Sequence, residues 1–177
     1  MSDLLQLVSF ELDERLYGLD IRIVKEINPN LDITRVPRAR PYIRGLVNIR
    51  GQVVLVMDIA VIFGWEPRPV TAESQIVILK TSSELRHAER LYGDLDVSLL
   101  GDKPVGFLVD AIGDVNTVPV SDVEPPPPHL NEANSIYCQG IVRMGDGLQI
   151  VLNPGALLAG PRNVFRGPAR ESGATEP

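Results

Sequence analysis

Cysteine, histidine and aromatic residues are scarce in this chain of 177 residues, which has one Cys, two His, one Trp, four Tyr and four Phe. The single Cys138 excludes an internal disulfide and fits a reducing compartment. His87 and His129 lie in loop-like segments without the spacing of metal ligands. We therefore expect neither a metal centre nor a bound cofactor.

Long apolar runs are also missing. No stretch approaches the roughly 18 residues that a membrane-spanning helix needs, and the N-terminal residues include acidic ones instead of a basic signal region. This pattern predicts a cytoplasmic protein that does not insert into a membrane. The length suits one domain or two small subdomains and is sufficient to bury a core.

Catalytic motifs are missing as well. The glycine-containing segments GDGLQ and GDKPVG lack the Lys-Ser/Thr of a phosphate-binding loop, and no serine or cysteine has a local partner that would activate it. Asp58 and Asp110 each end an apolar strand, so a hydrolase built on paired carboxylates is conceivable. A helix cap for Asp58 and a turn position for Asp110 match the local preferences better. We predict that the protein is not an enzyme.

The formal net charge of −6 argues against general binding of nucleic acid, which favours a basic surface. Positive charge is nevertheless concentrated in one region, where five arginines fall within sixteen positions: Arg35, Arg38, Arg40, Arg44 and Arg50. They could form a solvated loop. They could also form a docking surface for an acidic partner, because the planar guanidinium binds carboxylates bidentately.

Short apolar segments separated by Gly, Pro, Asp and Asn predict a mostly β protein. The predicted strands are Leu4–Leu12, Arg15–Leu19, Ile43–Ile49, Gln52–Met57, Gln75–Lys80, Val105–Asp110, Val115–Val120, Tyr137–Arg143 and Leu148–Leu152. We expect a bulge or bend at Gly113. The predicted helices are Ile21–Ile27 after an Asp20 cap, a short helix after an Asp58 cap that Val61–Gly64 completes, and Pro154–Leu158.

The order of the motifs resembles that of the CheW family, the adaptor proteins of bacterial chemosensory systems, over Leu7 to Leu158. The matching segments are VKEI (Val24–Ile27), RVP (Arg35–Pro37), YIRGLVNIRG (Tyr42–Gly51), MDI (Met57–Ile59), FG (Phe63–Gly64), VGFLVDAIGDV (Val105–Val115), PPP (Pro125–Pro127) and QGIVRMGDGLQIVLNP (Gln139–Pro154). The chain departs from the family pattern at Leu55, where the family usually has Pro, and at Asn153-Pro154, which replace a more usual acidic ending.

The resemblance implies a fold of two small five-stranded SH3-like β-barrel subdomains with a few short helices. We expect these to form a single domain over residues 1–160. The segment 82–102 is longer than the family's usual connection, and it is either a disordered loop or a site for a particular partner. Residues 161–177 are rich in Gly, Pro, Arg and Ser and are expected to be a disordered tail.

The resemblance also implies a function. The protein would be a non-catalytic adaptor that couples chemoreceptors to a CheA-type histidine kinase. Its partners would be the regulatory domain of that kinase, bound side by side, and the cytoplasmic tip of methyl-accepting chemoreceptors, so it would be recruited to membrane-associated receptor arrays. One alternative is an adaptor of a non-flagellar pathway such as twitching motility. Another is an unrelated small β-barrel that binds RNA or oligosaccharide, which would require exposed aromatic residues.

Carried over to this sequence, the resemblance predicts a partner-binding site at Val24, Glu26, Arg44, Asn48, Arg50 and Gly51. Val24 would offer an apolar contact to a helix, and Glu26 and Arg50 would form charge-assisted hydrogen bonds at the rim. Three other roles stay open. Val24 could belong to the core, Glu26 and Arg50 could pair with each other and serve only structure, and Gly51 could serve backbone geometry.

Overall fold

The computed structural model describes residues 3–86, 101–128 and 135–161, in which ten strands and a few short helices are present. The strands are β1 (Leu4–Leu12), β2 (Arg15–Asp20), β3 (Val24–Asn28), β4 (Ile43–Ile49), β5 (Gln52–Asp58), β6 (Gln75–Leu79), β7 (Val105–Val109), β8 (Ala111–Pro119), β9 (Cys138–Met144) and β10 (Gly147–Leu152). The α-helices are α1 (Ile59–Ile62), α2 (Ser82–Arg86) and α3 (Pro154–Leu158), and 3-10 turns lie at Ile21–Ile23 and Val120–Asp122.

The strands form two five-stranded sheets, which confirms the predicted mostly β fold. The first sheet has the order β8-β1-β2-β10-β9, and the second has the order β3-β6-β7-β5-β4. Neighbouring strands are antiparallel except for one parallel pair in each sheet, β2 with β10 and β5 with β7. The chain therefore starts in the first sheet, builds the whole second sheet, and returns to the first.

One sequence prediction of local structure is wrong, and one predicted strand has different bounds. The predicted helix Ile21–Ile27 is only a 3-10 turn over Ile21–Ile23, capped by Asp20 Oδ1, which accepts a hydrogen bond from Arg22 N at 2.9 Å. Val24–Asn28 is instead strand β3, because pairing with β6 satisfies its backbone. The predicted strand Val115–Val120 starts earlier, at Ala111, and runs through Gly113 as β8. The irregularity expected at Gly113 is present as a register shift between β1 and β8.

Helix α1 begins directly after Asp58, at the predicted cap, since the Asp58 side chain caps the N–H groups of Ala60 and Val61. The helix ends at Ile62, before Phe63 and Gly64. Helix α3 has the predicted bounds, and Asn153 Oδ1 caps it by accepting from Ala156 N at 3.2 Å. Helix α2 occupies the start of the predicted insertion. Residues 87–100 of that insertion, with His87, lie outside the described residues, as do His129 and the tail beyond Pro161.

The hairpin β4–β5 with α1 and the hairpin β9–β10 with α3 repeat one backbone pattern. Both pairings have the same register, with an irregularity at the third position of the hairpin, Gly45 and Gly140. In the first hairpin the carbonyl of Tyr42 accepts the N–H of Asp58 at 2.8 Å. In the second the carbonyl of Tyr137 accepts the N–H of Asn153 at the same distance. Each helix thus starts from a capping residue that is tied to the beginning of its own hairpin.

Each sheet also curls back on itself in the same way. A backbone bridge joins Leu46 of β4 to Thr34, in the segment that follows the opposite edge strand β3. The equivalent residue of β9, Ile141, bridges to Glu124, in the segment that follows the opposite edge strand β8. These bridges bring the two edges of each sheet together, as expected for small barrel-like units.

The largest core cluster lies between the two sheets and takes side chains from both, among them Phe10 and Leu19 of the first and Phe107 and Val109 of the second. Smaller clusters fill each sheet separately. Phe63, after α1, is at the centre of an aromatic group, with ring centroids 5.9 Å from Tyr17, 5.3 Å from Trp65 and 5.6 Å from Tyr137. These aromatic side chains pack against one another and with the core cluster, and together with Arg15 they line a small concavity.

Arg68, in the connection between α1 and β6, links the β7–β8 junction, where the chain returns to the first sheet, to the β1–β2 turn. Its guanidinium contacts Asp110, between β7 and β8, with Nη2 2.8 Å from Oδ2, and Asp13, in the β1–β2 turn, with Nη1 3.4 Å from Oδ1. Asp110 also accepts the backbone N–H of Asp13 at 2.9 Å. Asp110 therefore has a structural role at this crossover.

Candidate partner-binding site

A groove of about 180 Å³ lies beside the β4–β5 turn. Its lining comes from β3, β4, β5, β6 and the turn: Lys25, Glu26, Ile49, Arg50, Gln52, Val54 and Ile78. The apolar members are core residues, since Ile49, Val54 and Ile78 are all buried. The groove therefore has an apolar floor and a charged or polar rim, a combination suited to a side chain of a docked helix.

Arg50 and Glu26 form an ion pair across this rim, with Nη1 2.8 Å from Oε2. The Arg50 side chain is 78% exposed, whereas that of Glu26 is only 19% exposed. The other carboxylate oxygen of Glu26 accepts a hydrogen bond from Asn28 Nδ2 at 3.0 Å. Glu26 is thus held on both oxygens and fixes the guanidinium, which has five N–H donors and can bind a second carboxylate.

Asn48 and Gly51 build the turn that presents Arg50. Asn48 Oδ1 accepts the N–H of Gly51 at 2.8 Å, and Asn30 Nδ2 donates to the Asn48 carbonyl at 3.2 Å. Arg50 and Gly51 both have positive φ angles, 52° and 82°, as a tight two-residue hairpin turn requires. Of the predicted site residues, Asn48 and Gly51 shape the turn, and the side chain of Arg50 extends from it.

Val24 lies apart from the groove. A register irregularity in the β3–β6 pairing separates Val24 from Glu26, so the two-residue alternation is broken between them. Glu26 lines the groove, while the half-buried Val24 packs against the core cluster between the sheets. The structure thus brings Glu26 and Arg50 together at one site, with Asn48 in the turn beside them, and places Val24 against the core.

Arg44 forms an ion pair with a buried carboxylate. Its Nη1 lies 3.3 Å from Oδ2 of Asp58, whose side chain is 0% exposed. Asp58 Oδ1 also accepts the backbone N–H groups of Ala60 and Val61, at 3.0 and 3.4 Å. Burial raises the pKa of Asp58 above its ordinary value of 3.8, while these backbone N–H groups and Arg44 act in the opposite direction. Asp58 is a buried structural group without access to a substrate.

The arginine-rich segment divides between two places. Arg50 belongs to the groove, whereas Arg35, Arg38, Arg40 and Arg44 line a separate concavity of about 420 Å³ on the segment that precedes β4. We call this concavity the arginine pocket. Because the five arginines are close in sequence, they suggested a single basic patch. The β4–β5 hairpin instead separates Arg50 from the other four, so the arginines belong to two sites.

The floor of the groove and Lys25 are functional candidates that sequence reasoning missed. Lys25 lies on the rim, and its Nζ is 3.2 Å from Glu84 of α2, so the start of the insertion contacts the groove. The only sequence signal for the floor was the continuous run of apolar residues in β5 and in β6, which does not reveal which strands meet. In the described part of the chain no cluster of His, Cys, Asp or Glu could hold a metal ion.

Comparison with known proteins shows similarity over most of the chain. The family profile described as CheW-like domain matches residues 6–162. Chemotaxis protein CheW of Treponema pallidum (strain Nichols) is 31% identical over 148 residues, covering 84% of this chain and 78% of the relative. Chemotaxis protein CheW of Bacillus subtilis (strain 168) is 27% identical over 153 residues, covering 86% of each.

A solved structure agrees with these sequence relatives. The crystal structure of scaffolding protein TtCheW from Thermoanaerobacter tengcongensis matches with a TM-score of 0.67 and 28% identity, covering 86% of this chain and 85% of that chain. The match therefore extends over most of both chains.

Proposed function

This chain belongs to the CheW family and is a non-catalytic scaffolding adaptor that couples receptors to a kinase in chemotaxis signalling; we propose that its direct partners are the cytoplasmic tip of methyl-accepting chemoreceptors and the regulatory domain of a CheA-type histidine kinase. The observation that carries the proposal is the groove beside the β4–β5 turn, with its apolar floor and the paired Glu26 and Arg50 on its rim.

The receptor tip, a helical coiled coil in this family, binds at that groove. An apolar side chain of the receptor helix lies over Ile49 and Val54, and a receptor carboxylate binds the N–H donors of Arg50 that point away from Glu26. Because Glu26 already orients the guanidinium, little side-chain entropy is lost when the second carboxylate binds. Asn48 and Gly51 contribute by holding the turn in shape. Arg44 contributes to the fold through Asp58, and Val24 supports β3 from the core side.

The kinase regulatory domain binds at a second, larger groove on the first sheet. That groove has a volume of about 510 Å³ and a mainly apolar lining from β2, β9, β10 and the proline-rich segment: Leu16, Pro127, Ile141, Met144, Leu148 and Ile150. Leu148 is 53% exposed. An exposed apolar groove next to the edge strand β9 suits side-by-side association with a related β domain. Two partners can then bind at once, one on each sheet.

We further propose that the two sheets act as one domain located in the cytoplasm at receptor arrays. The core cluster shared by both sheets supports this, because it fixes the two grooves relative to each other. In the part of the chain that the structure describes, no helix has the length and apolar character to cross a membrane. A fluorescent fusion that forms polar or clustered foci only in cells with receptors would support the location, and diffuse signal in such cells would contradict it.

The two grooves are tested by calorimetric titration of the full chain with each partner from the same organism. Arg50→Glu should weaken binding of a receptor-tip fragment at least about tenfold, because it places a like charge opposite the receptor carboxylate. The melting temperature should fall only modestly: the variant loses the ion pair with Glu26 and places a like charge beside it, but Arg50 is 78% exposed, so the cost should stay at about 1 kcal/mol. Leu148→Asp should weaken only the kinase titration.

Arg143→Glu is the matched control for the receptor titration. Arg143 is also an exposed arginine paired with a glutamate, Glu124, at 3.0 Å, but it lies on the first sheet. It should leave receptor binding unchanged. Receptor binding that survives Arg50→Glu, or a folded protein that binds neither partner, would contradict the proposal.

A further inference from the structure

The arginine pocket is built on two consecutive tight turns. The first runs from Val36 to Ala39, closed by a hydrogen bond from Ala39 N to Val36 O at 3.3 Å, and the second runs from Arg40 to Ile43, closed by Ile43 N to Arg40 O at 2.9 Å. Each has a proline, Pro37 or Pro41, at its second position, where the fixed φ of proline favours a turn. The segment is therefore rigid before any partner binds.

Arg38 occupies a backbone position that favours glycine. It is the third residue of the first turn and has a φ of 61°, in the left-handed region. A turn with proline second and a positive φ third normally has Gly or Asn there, because a Cβ makes the conformation unfavourable. An arginine at this exposed position gives no compensating packing. Strain of this kind is typical of residues kept for a functional contact.

The charge of the pocket is available for binding. Arg35 and Arg38 are exposed, and neither forms an ion pair with any residue that the structure describes. Arg44 uses one edge of its guanidinium for Asp58 and still lines the pocket. The chain as a whole has a net charge of −6, so this cluster is a local positive field on an acidic protein. Such a contrast steers acidic groups to one place on the surface.

We propose that the arginine pocket binds an acidic peptide segment of a partner protein, at a site separate from the groove at Arg50. Several arginines spread along one concavity match several carboxylates, each bound by a planar guanidinium. The pocket is also lined by apolar residues, including Val36, which is 38% exposed, and Ile43. This combination suits a peptide with acidic side chains around an apolar one better than an isolated small anion.

The proposal is tested by fluorescence anisotropy with the full chain and a labelled peptide of Asp and Glu residues around one Leu. The same peptide with Gln and Asn is the matched control. The acidic peptide should bind, with an affinity that falls steeply as salt rises from about 50 to about 200 mM, and the neutral one should not. Replacing both Arg35 and Arg38 by Gln should weaken binding at least about tenfold, while Arg143→Gln, at an exposed arginine on the first sheet, should leave it unchanged.

Arg38→Gly separates binding from folding. It removes the charge and relieves the unfavourable backbone, so it should raise the melting temperature and weaken peptide binding together. Failure of the acidic peptide to bind, or binding that is insensitive to Arg35 and Arg38, would overturn the proposal. So would tighter binding of inorganic phosphate, phosphatidylglycerol vesicles or single-stranded DNA to the same arginines. Loss of receptor binding in Arg50→Glu tests the other groove and does not affect this result.

Discussion

The hairpins β4–β5 and β9–β10 share one backbone pattern but differ in charge. Arg44 and Asp58 in the first correspond to Gln139 and Asn153 in the second, at the same register. Both Asp58 and Asn153 cap the helix that follows through a side-chain oxygen. The comparison teaches that this pattern needs a capping side-chain oxygen and the backbone hydrogen bond to the start of the hairpin. It does not need a charged pair at these positions. The arginines of the first hairpin region are therefore additions to a pattern that folds without them.

The largest effect should come from the glycines that allow each sheet to curl. A Cβ at Gly45 would overlap the carbonyl oxygen of Thr34, which is fixed in the backbone bridge to Leu46, and the φ of 143° is unfavourable for any other residue. At Gly140 a Cβ would first meet the Val123 side chain, which can rotate, and the Glu124 oxygen at 3.0 Å. Gly45→Ala should cost roughly 3 to 5 kcal/mol and Gly140→Ala roughly 1 to 2 kcal/mol.

Urea denaturation of the two alanine variants measures this difference. Equal losses would mean that the bridge to Thr34 is no more rigid than the Val123 side chain. A larger loss at Gly140 would contradict the shared pattern as described.

The next effect concerns the buried ion pair. Arg44→Gln leaves Asp58 buried without its cation and should cost about 2 kcal/mol at neutral pH, less than for a fully buried pair because Arg44 is partly exposed. Adding Asp58→Asn converts this site to the residues of the second hairpin. The double variant should recover to within about 1 kcal/mol of the parent protein, because the cap is kept and no charge is buried.

The pH dependence gives a sharper form of the same prediction. The folded-state pKa of Asp58 is raised by burial, so the folded protein binds a proton more tightly than the unfolded chain. The contribution of Asp58 to the free energy of unfolding is greatest below its ordinary pKa of 3.8. That contribution is lost as pH rises through the folded-state pKa. Removing Arg44 raises that pKa further, so the loss caused by Arg44→Gln should be small near pH 4 and largest near pH 7. In the double variant this pH dependence should be absent when unfolding is followed across the same range.

The smallest effect is expected at Leu55, where the family usually has Pro. The N–H of Leu55 donates to the Pro104 carbonyl at 3.0 Å, just outside the start of β7. Leu55→Pro removes this one terminal hydrogen bond and should cost about 1 kcal/mol. The equivalent Ile150 lies within the pairing of β10 with β2, so Ile150→Pro should cost more. Thermal unfolding compares the two, and a larger loss at Leu55 would contradict this assignment of its hydrogen bond.

The hairpins and caps were predictable from sequence because their causes are local. The Arg50-Gly51 turn and the cap at Asp58 depend on residues within a few positions, and both are observed. The helix predicted at Ile21–Ile27 failed because apolar spacing within seven residues does not separate a helix from an irregular strand, and pairing with the distant β6 decided the outcome. The sequence contains Tyr-x-x-Gly at both Tyr42 and Tyr137. Only the strand pairing observed in the structure shows that these two segments begin equivalent hairpins.

The candidate site was predictable only in its charged residues. Glu26 and Arg50 stood out by type and position, and the structure places them 2.8 Å apart. The floor of the groove could not be predicted, since Ile49, Val54 and Ile78 come from three strands whose neighbours are set by topology. For the same reason the arginine-rich segment read as one patch, although a hairpin places Arg50 away from Arg35 and Arg38.

The order in which the strands enter the two sheets has a consequence during synthesis. The second sheet uses a continuous stretch, β3 to β7, and can pair fully once Val109 has left the ribosome. The first sheet joins β1 and β2 from the beginning to β8, β9 and β10 from the end, so the other edge of β2 stays unpaired until β10, which ends at Leu152, has been translated. Its long-range pairings should form late and slowly. A nascent chain stalled at a length that places Val109 outside the ribosome should therefore protect β3 to β7 from proteolysis before β1 and β2 are protected.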